Sequence, residues 1–382
     1  MPPDPNSGAA GTVWQMATAL RAAGHAVDAF WTDDLRRRIA HGNLHYAVEL
    51  PYAYRREVRR RLAAADYDVV ELNQPHAYLA AADLRRRAWP GVFVNRSHGH
   101  EVRVREVSAE RLPDPGRRAW PRRAASSLLR RVLDRQWDRV AADSDGVLVS
   151  SRLDAEFLRR RYGLPPERVA VVTQGVPQSF LRASPAPPPG GNRGETLGYV
   201  GQFTPVKAPD VLAEIASRVA ARRPGATFTW VCDAAHHDAA RALIAPAVLD
   251  RVKLRPWMSQ DELVGTLDRC RVFLFPSHFE GFGKAPLEAM ARGCCVVASD
   301  EGGMRDYIDD GTSGVLCRPG DVAAFAAAAE VLTADPAAAT AMSAAARRVA
   351  ARHTWAQAAG EAVAFYRRLL TAKRGGLGRR RT

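Results

Sequence analysis

The stretch from Phe275 to Asp300, FPSHFEGFGKAPLEAMARGCCVVASD, constrains this chain more than any other. It predicts a buried strand ending at Pro276, a loop holding Glu280, and a tight turn at Gly281-Phe282-Gly283. A helix from about Lys284 follows, with Pro286 in its first turn, where a missing N–H costs nothing. A second buried strand runs from Cys295 to Ala298. Free backbone N–H groups and the positive end of the helix dipole leave this turn together, which makes it an anion site. Glu288 falls near the helix start, close to the loop carboxylate Glu280. Two carboxylates beside an anion site fit a ligand with hydroxyls at both ends and phosphate in the middle.

The run from Pro276 to Gly293 resembles the signature of the retaining glycosyltransferases of family 4, the group 1 glycosyl transferases. Their pattern is PS-x-x-EGFG-x-x-x-LEAMA-x-G, and Glu280 and Glu288 stand at the family's glutamate spacing. Two glutamates at that spacing alone are ordinarily solvated side chains on a helix; the full run is a specific signal. The resemblance implies a GT-B fold: two Rossmann-like doubly wound α/β domains facing a cleft, with a C-terminal helix crossing back. It implies transfer of a sugar, with retention of configuration, from a nucleotide-diphosphate sugar to a glycan, lipid-linked or small-molecule acceptor.

The resemblance also assigns roles at matching positions. Glu288 would bond the ribose, Glu280 the donor-sugar hydroxyls, and Phe282 and Gly283 would line the sugar–phosphate pocket, with Lys284 and Leu287 beside them. Lys207, after Gly201-Gln202-Phe203, matches the family's Gly-Arg-Leu…Lys segment and would stabilise the leaving diphosphate. His98-Gly99 resembles the family's His-Gly loop, so His98 would contact the reacting sugar. Trp257 lies in the matching base-binding loop, where stacking on the base and packing in a core are equal readings. Gln202 departs from the pattern: it offers a neutral amide where the family carries the charged fork of arginine. Lys284, or an arginine brought in by domain closure, would then have to supply the charge. No Asp-any-Asp motif is evident, and no essential metal or cofactor is expected; the nucleotide-sugar is a substrate.

At 382 residues the chain exceeds one typical core and predicts two domains. An N-terminal acceptor-binding domain would take residues 1–180, a linker 181–195, a donor-binding domain 196–353, a crossover helix 354–372 and a basic, disordered tail 373–382. The linker is rich in Pro and Gly around Ser184 to Glu195. In the first domain a helix from Thr12 to Ala23 stops at Gly24, and Ala26 to Trp31 predicts a strand. Only MPPDPNS precedes the loop Gly8-Ala-Ala-Gly11, so the first strand of that domain is expected to be missing and the true start to lie upstream. Strands are expected at Asp68–Leu72, Val92–Asn95, Gly146–Ser150 and Val169–Thr173. The second domain adds Thr196–Gly201, Thr227–Cys232, Val252–Arg255, Val272–Phe275 and Gly314–Cys317. The alternation with helices implies parallel sheets with sites at the strand C-termini.

The net charge of +14 is almost all arginine, which admits nucleic acid, an anionic membrane or phosphorylated substrates as partners, or simply a GC-rich coding sequence. No nucleic-acid motif accompanies it. Arg117 to Arg139 alternates Trp120, Leu128, Leu129, Val132 and Leu133 with arginine pairs. That pattern predicts a helix packing on its own sheet, with peripheral contact to an anionic membrane as the second reading. No apolar run approaches the roughly 20 residues needed to cross a bilayer. The five cysteines are odd in number and sit in apolar runs, which predicts buried thiols in a reducing cytoplasm. Two other functions remain open at this level: a nucleotide-sugar epimerase on the same fold, and a weakly active or non-catalytic scaffold.

Overall fold

The computed structural model describes residues 8–35, 37–40, 44–112, 120–182 and 193–378. It divides into two compact units, one of residues 1–103, 113–173 and 356–382, the other of residues 104–112 and 174–355. Residues 1–7, most of the proposed linker and the last four residues of the basic tail lie outside the described set, so the expectation about what precedes Gly8 has no structural account.

The second unit carries a six-stranded, wholly parallel sheet: β5 (Thr196–Val200), β6 (Thr227–Val231), β7 (Val252–Arg255), β8 (Val272–Phe275), β9 (Cys295–Ser299) and β10 (Val315–Cys317). Their order in space is β10-β9-β8-β5-β6-β7. The chain winds outward from β5 in one direction, then returns to β8 and winds outward in the other. The reversal therefore falls between β5 and β8, which is where such a sheet opens a crevice for ligands. Every residue of β8 and β9 is buried, as a strand covered by helices on both faces must be. Leu212, Ile215, Trp230, Phe273 and Phe325 anchor the core around them.

The first unit carries four parallel strands in chain order: β1 (Val69–Asn73), β2 (Val92–Arg96), β3 (Gly146–Val149) and β4 (Val169–Val171). The helix Trp355–Gly378 packs on this unit through its residues after 355. A Cβ on Gly146 would lie 2.6 Å from the Phe365 ring, so only glycine lets the helix approach β3 so closely.

All ten strands come out within two residues of their expected ends. The Ser259–Glu262 capping box is present at the start of Gln260–Arg269. The differences have local causes. The strand expected at Ala26–Trp31 is absent: the segment joins no ladder among the described residues. Its backbone is held by side chains instead, Arg21 donating to Val27 O at 2.7 Å and the Trp31 N–H donating to Asp34 at 2.7 Å. The loop expected at Gly8–Gly11 is helical, because Ala9–Ala22 begins three residues before Thr12 and the Thr12 hydroxyl donates back to Gly8 O. Lys207 ends a 3₁₀ turn, Pro205–Lys207, and the helix Pro209–Arg222 follows it. The tail stays helical through Gly378, since Lys373 reaches Gly91 O at 2.7 Å and Asp145 at 2.8 Å and ties the last turns down. The π turn His45–Glu49 and helix Leu50–Ala64 had no counterpart in the sequence reading.

Trp120–Asp143 is one helix, and among its described side chains Gln136, Trp137, Val140 and Ala141 are buried while Leu128 is 64% exposed. Its second half thus packs on its own unit, but not through the apolar face expected from the sequence: of Leu128, Leu129, Val132 and Leu133 none is buried. No single described helix is long and apolar enough to cross a membrane.

Candidate active site

The candidate site lies at the C-terminal ends of β5 and β8, on the switch point of the second sheet. After β8 the chain runs Pro276 to Phe279 in buried conformation, presents Glu280, and turns sharply through Gly281-Phe282-Gly283. Gly283 has φ +89°, and a Cβ there would lie 2.6 Å from Met304 Cγ, so the turn requires glycine. The Tyr307 hydroxyl donates to Gly283 O at 2.6 Å and locks the turn against the following element. The helix Lys284–Ala291 starts from that point, and its first N–H groups have no partner within the helix.

Lys207 comes to the same place from β5. Its ammonium pairs with the Glu280 carboxylate and lies 5.3 Å from the Phe275 ring centre. It is held there by a non-glycine residue in left-handed conformation, Ala208 at φ +53°, and by the Lys207 N–H donating to Thr204 O at 2.9 Å. Such strain is retained where the surroundings over-determine it, and functional sites are where it collects. Lys284 stands 3.8 Å from Glu288, one helical turn on. Burial raises the Glu288 carboxyl above the usual range, and the Lys284 ammonium opposes that rise. The expected Lys207, Glu280, Gly283, Lys284 and Glu288 are thus brought to one turn, and Gly201 and Gln202 follow β5, its neighbour. Lys284 is not a spare cation, because Glu288 already engages it.

Other expected site residues are placed differently. Phe282 and Leu287 point into the core at 3% and 1% exposure, so their side chains do not line the site, and the Leu287 N–H is taken up by Gly283 O at 3.5 Å. Phe282 packs on Tyr307 with ring centres 5.3 Å apart. Trp257 follows β7, three strands from β8, about 14 Å across the sheet. It is half exposed rather than a core residue. His98 belongs to the first unit, at the end of β2, where its Nε2 meets Asn73 Oδ1 at 3.0 Å. Burial, with the Arg96 guanidinium adding to it, pushes its imidazole down to about 4. With Asn73 Oδ1 accepting, the proton sits on Nε2, and Nδ1 is left as a buried acceptor with no partner among the described residues.

Two side chains at the site were not found in the sequence reading. Glu301 opens the turn Glu301-Gly302-Gly303, which packs directly on the Glu280 turn: a Cβ on Gly302 would lie 2.0 Å from Glu280 O, and the Gly303 N–H donates to Gly281 O at 3.1 Å. Arg111, in residues 104–112 of the same unit, donates from Nη1 to Glu301 at 2.9 Å and to His278 O at 2.6 Å. No local pattern marks Arg111; it is one arginine in a basic chain, and only folding brings it here. Among the described residues no three metal-ligating side chains converge.

A family model for group 1 glycosyl transferases matches residues 194–335, and one for glycosyltransferase family 4 matches residues 6–180. The chain belongs to this family. Its fold is GT-B. Sucrose-phosphate synthase from Thermosynechococcus elongatus superimposes with a TM-score of 0.75 over 96% of this chain and 94% of that one, at 21% identity. HepE from Anabaena in complex with UDP and glucose matches with a TM-score of 0.63 over 84% of this chain and 82% of its own, at 18% identity. In sequence, a D-inositol 3-phosphate glycosyltransferase from Thermobispora bispora is 32% identical over 246 residues, 60% of this chain and 57% of that protein. The chain spans a little over half the length of the curated relatives first matched. Family 4 membership agrees with the signature at Pro276 to Gly293.

Proposed function

We propose that the protein transfers a sugar from a nucleotide-diphosphate sugar to an acceptor, with retention at the anomeric carbon. The observation that carries this is the meeting of Lys207, Glu280, Lys284 and Glu288 on one glycine turn at the switch point between β5 and β8. Charge grows on the leaving diphosphate as the glycosidic bond breaks. Lys207 and the N–H groups from Gly281 to Lys284 are fixed donors for it, and fixed donors need no reorganisation at the moment of reaction. Binding would draw the Lys207 ammonium from Glu280 to phosphate and free the Glu280 carboxylate for sugar hydroxyls. Glu288 would hold the ribose. In this reading Glu280 binds rather than attacks, and the departing phosphate takes the acceptor proton on the same face. The family-implied role of His98 is contact with the reacting sugar; a neutral imidazole with an open Nδ1 suits a hydroxyl donor.

The donor role is supported by HepE, whose solved complexes contain UDP and UDP-glucose. The first unit is proposed to bind the acceptor and the second, which includes residues 104–112, the donor. The protein is proposed to work in the cytoplasm, in keeping with five buried cysteines that are all free thiols. Peripheral membrane contact through Trp120–Asp143 is the weaker proposal; binding to anionic but not neutral vesicles would support it. The deciding experiment is a thermal-shift panel of UDP, GDP, ADP and dTDP with their sugar conjugates. A ligand at a hundred times its dissociation constant stabilises by about 2.7 kcal/mol. The responding conjugate is then incubated with candidate acceptors, an inositol phosphate among them, and the product's anomeric configuration is read by NMR. An inverted product, a sugar released only as an isomer, or no response to any nucleotide would refute the reading.

A further inference from the structure

We infer that Arg111 is the second phosphate-binding cation of this site, supplying the charge that Gln202 lacks, with Glu301 as its resting partner. The inference rests on the donor reading above.

Four observations converge on it. Gln202 is exposed and neutral at the end of β5, Lys284 stands beside Glu288 and Lys207 pairs with Glu280, so each of the expected cations is already balanced by a carboxylate. Arg111 bridges the two segments that flank Glu280: it holds His278 O, two residues before Glu280, and Glu301, whose neighbour Gly302 abuts Glu280 O. Both bonds use Nη1. Arginine has five N–H donors, and those on Nη2 and Nε have no partner among the described residues; the side chain keeps 28% of its exposure. A guanidinium presents these remaining donors as a fork that matches phosphate oxygens.

Glu301 explains why the arginine waits there. Its side chain is 3% exposed and its other oxygen accepts the Gly302 N–H at 3.2 Å, so a carboxylate lies against the turn that would receive a diphosphate. Unpaired, it would repel that ligand. Paired with Arg111, it stores the cation at the site's edge. An incoming diphosphate meets the open side of the guanidinium while Nη1 keeps its anchors on His278 and Glu301.

The test is calorimetric titration of the full chain with UDP, GDP, ADP and dTDP and with the four matching nucleosides. Arg111→Gln is expected to weaken the best-bound diphosphate by about tenfold or more and its nucleoside by less than about twofold. Glu301→Gln is expected to leave diphosphate affinity unchanged or improved, and Arg111→Gln/Glu301→Gln to regain only the part of the loss that comes from the unpaired Glu301, staying well below wild type. Arg111→Lys should recover part of the loss, and melting temperatures show that each variant is folded. Recovery of wild-type affinity in the double variant would overturn the inference, since Arg111 would then only cancel Glu301. Equal weakening of nucleoside and diphosphate would overturn it too, as would no weakening. If the wild type binds none of the eight compounds, the donor reading itself fails, which is a different result from any of these.

Discussion

The turn after β8 in the second unit holds its ionised groups in pairs: Lys207 with Glu280, Lys284 with Glu288, Arg111 with Glu301. The end of β2 in the first unit is made differently. Its ion pair, Arg96 with Glu71, closes at 2.6 Å and is capped by the Tyr366 hydroxyl. Around it, Gln74 Oε1, Asn95 Oδ1, Ser97 Oγ and His98 Nδ1 have no partner among the described residues. Gln74 also sits at φ +64°, outside the comfortable range for a residue with a side chain. A matched ionic site can exchange one partner for a charged ligand. An unmatched neutral one has hydrogen bonds to give to hydroxyls or water. The contrast therefore assigns structural charge to the first unit and working charge to the second, and the variants below test that division.

The largest effect is expected from Arg96→Met. It leaves Glu71 buried with only Tyr366 beside it, and stripping one partner from a buried pair costs about 3–5 kcal/mol. Burial alone would raise the Glu71 carboxyl, yet Arg96 and Tyr366 hold it below its usual range, which shows how much the pair does there. Denaturant melts should register the loss, while nucleotide affinity, measured well below the transition, should not move. A parallel fall in nucleotide affinity would erase the division.

Gly302→Ala comes next. The new methyl carbon would stand 2.0 Å from Glu280 O at a residue with φ +58°, so overpacking of about 1–3 kcal/mol adds to a left-handed penalty of about 1–2 kcal/mol. Gly311→Ala is the control, with φ +73° and nothing within 4 Å of its Cβ, and should show the left-handed penalty alone. The thermal shift given by a nucleotide should vanish in the first and persist in the second. Persistence in both would mean that the Glu280 turn does not shape the ligand site.

These positions also show what was legible beforehand. Glu280, Gly283, Lys284 and Glu288 were found because they share one contiguous stretch whose local chemistry forces a turn and a helix start. The strands of both sheets were found because buried parallel strands are apolar runs between turn residues. Arg111 and Glu301 meet only through folding, across 190 residues of chain, and nothing local marks such a pair. Phe282 and Leu287 were assigned to the ligand by motif, but burial turns their side chains inward, a distinction that motif position does not carry. Ala26–Trp31 has strand-like residues and lacks a partner, and a strand exists only through its ladder. The tail reads as disordered from its glycines, while Lys373 holds it helical through two tertiary bonds.

A smaller effect is expected from the Lys207–Glu280 pair, since both side chains keep some exposure, 20% and 16%. In a cycle of Lys207→Met, Glu280→Gln and the double variant, the coupling in unfolding free energy should be about 0.5–1 kcal/mol, near the upper end for exposed pairs. Diphosphate binding should fall in Lys207→Met and hold in Glu280→Gln, whereas sugar transfer should fall in both. If Glu280→Gln transfers sugar normally, the carboxylate is structural, and the second unit's charges resemble the first unit's after all.

The smallest effect is a slope. His98 titrates near 4 in the folded chain, whereas an unfolded histidine titrates near about 6.5. Between these values the unfolded chain binds more protons than the folded one, so stability is fully present above about pH 6.5 and declines as pH falls toward 4. His76, pushed down to about 4 chiefly by its own burial, adds a second slope of the same sign. Replacing His98 with Gln should remove its own share, at most about 1.4 kcal/mol per pH unit, and leave those of His76 and His278, which burial also lowers. Chemical melts of both proteins between pH 4 and 7 measure it. The same depression means that any transfer activity should show no ionisation of His98 between pH 6 and 8. A His98-dependent step in that range, or an unchanged stability slope in His98→Gln, would mean that the imidazole is charged in the folded protein, and the first unit's strand end would then carry working charge of its own.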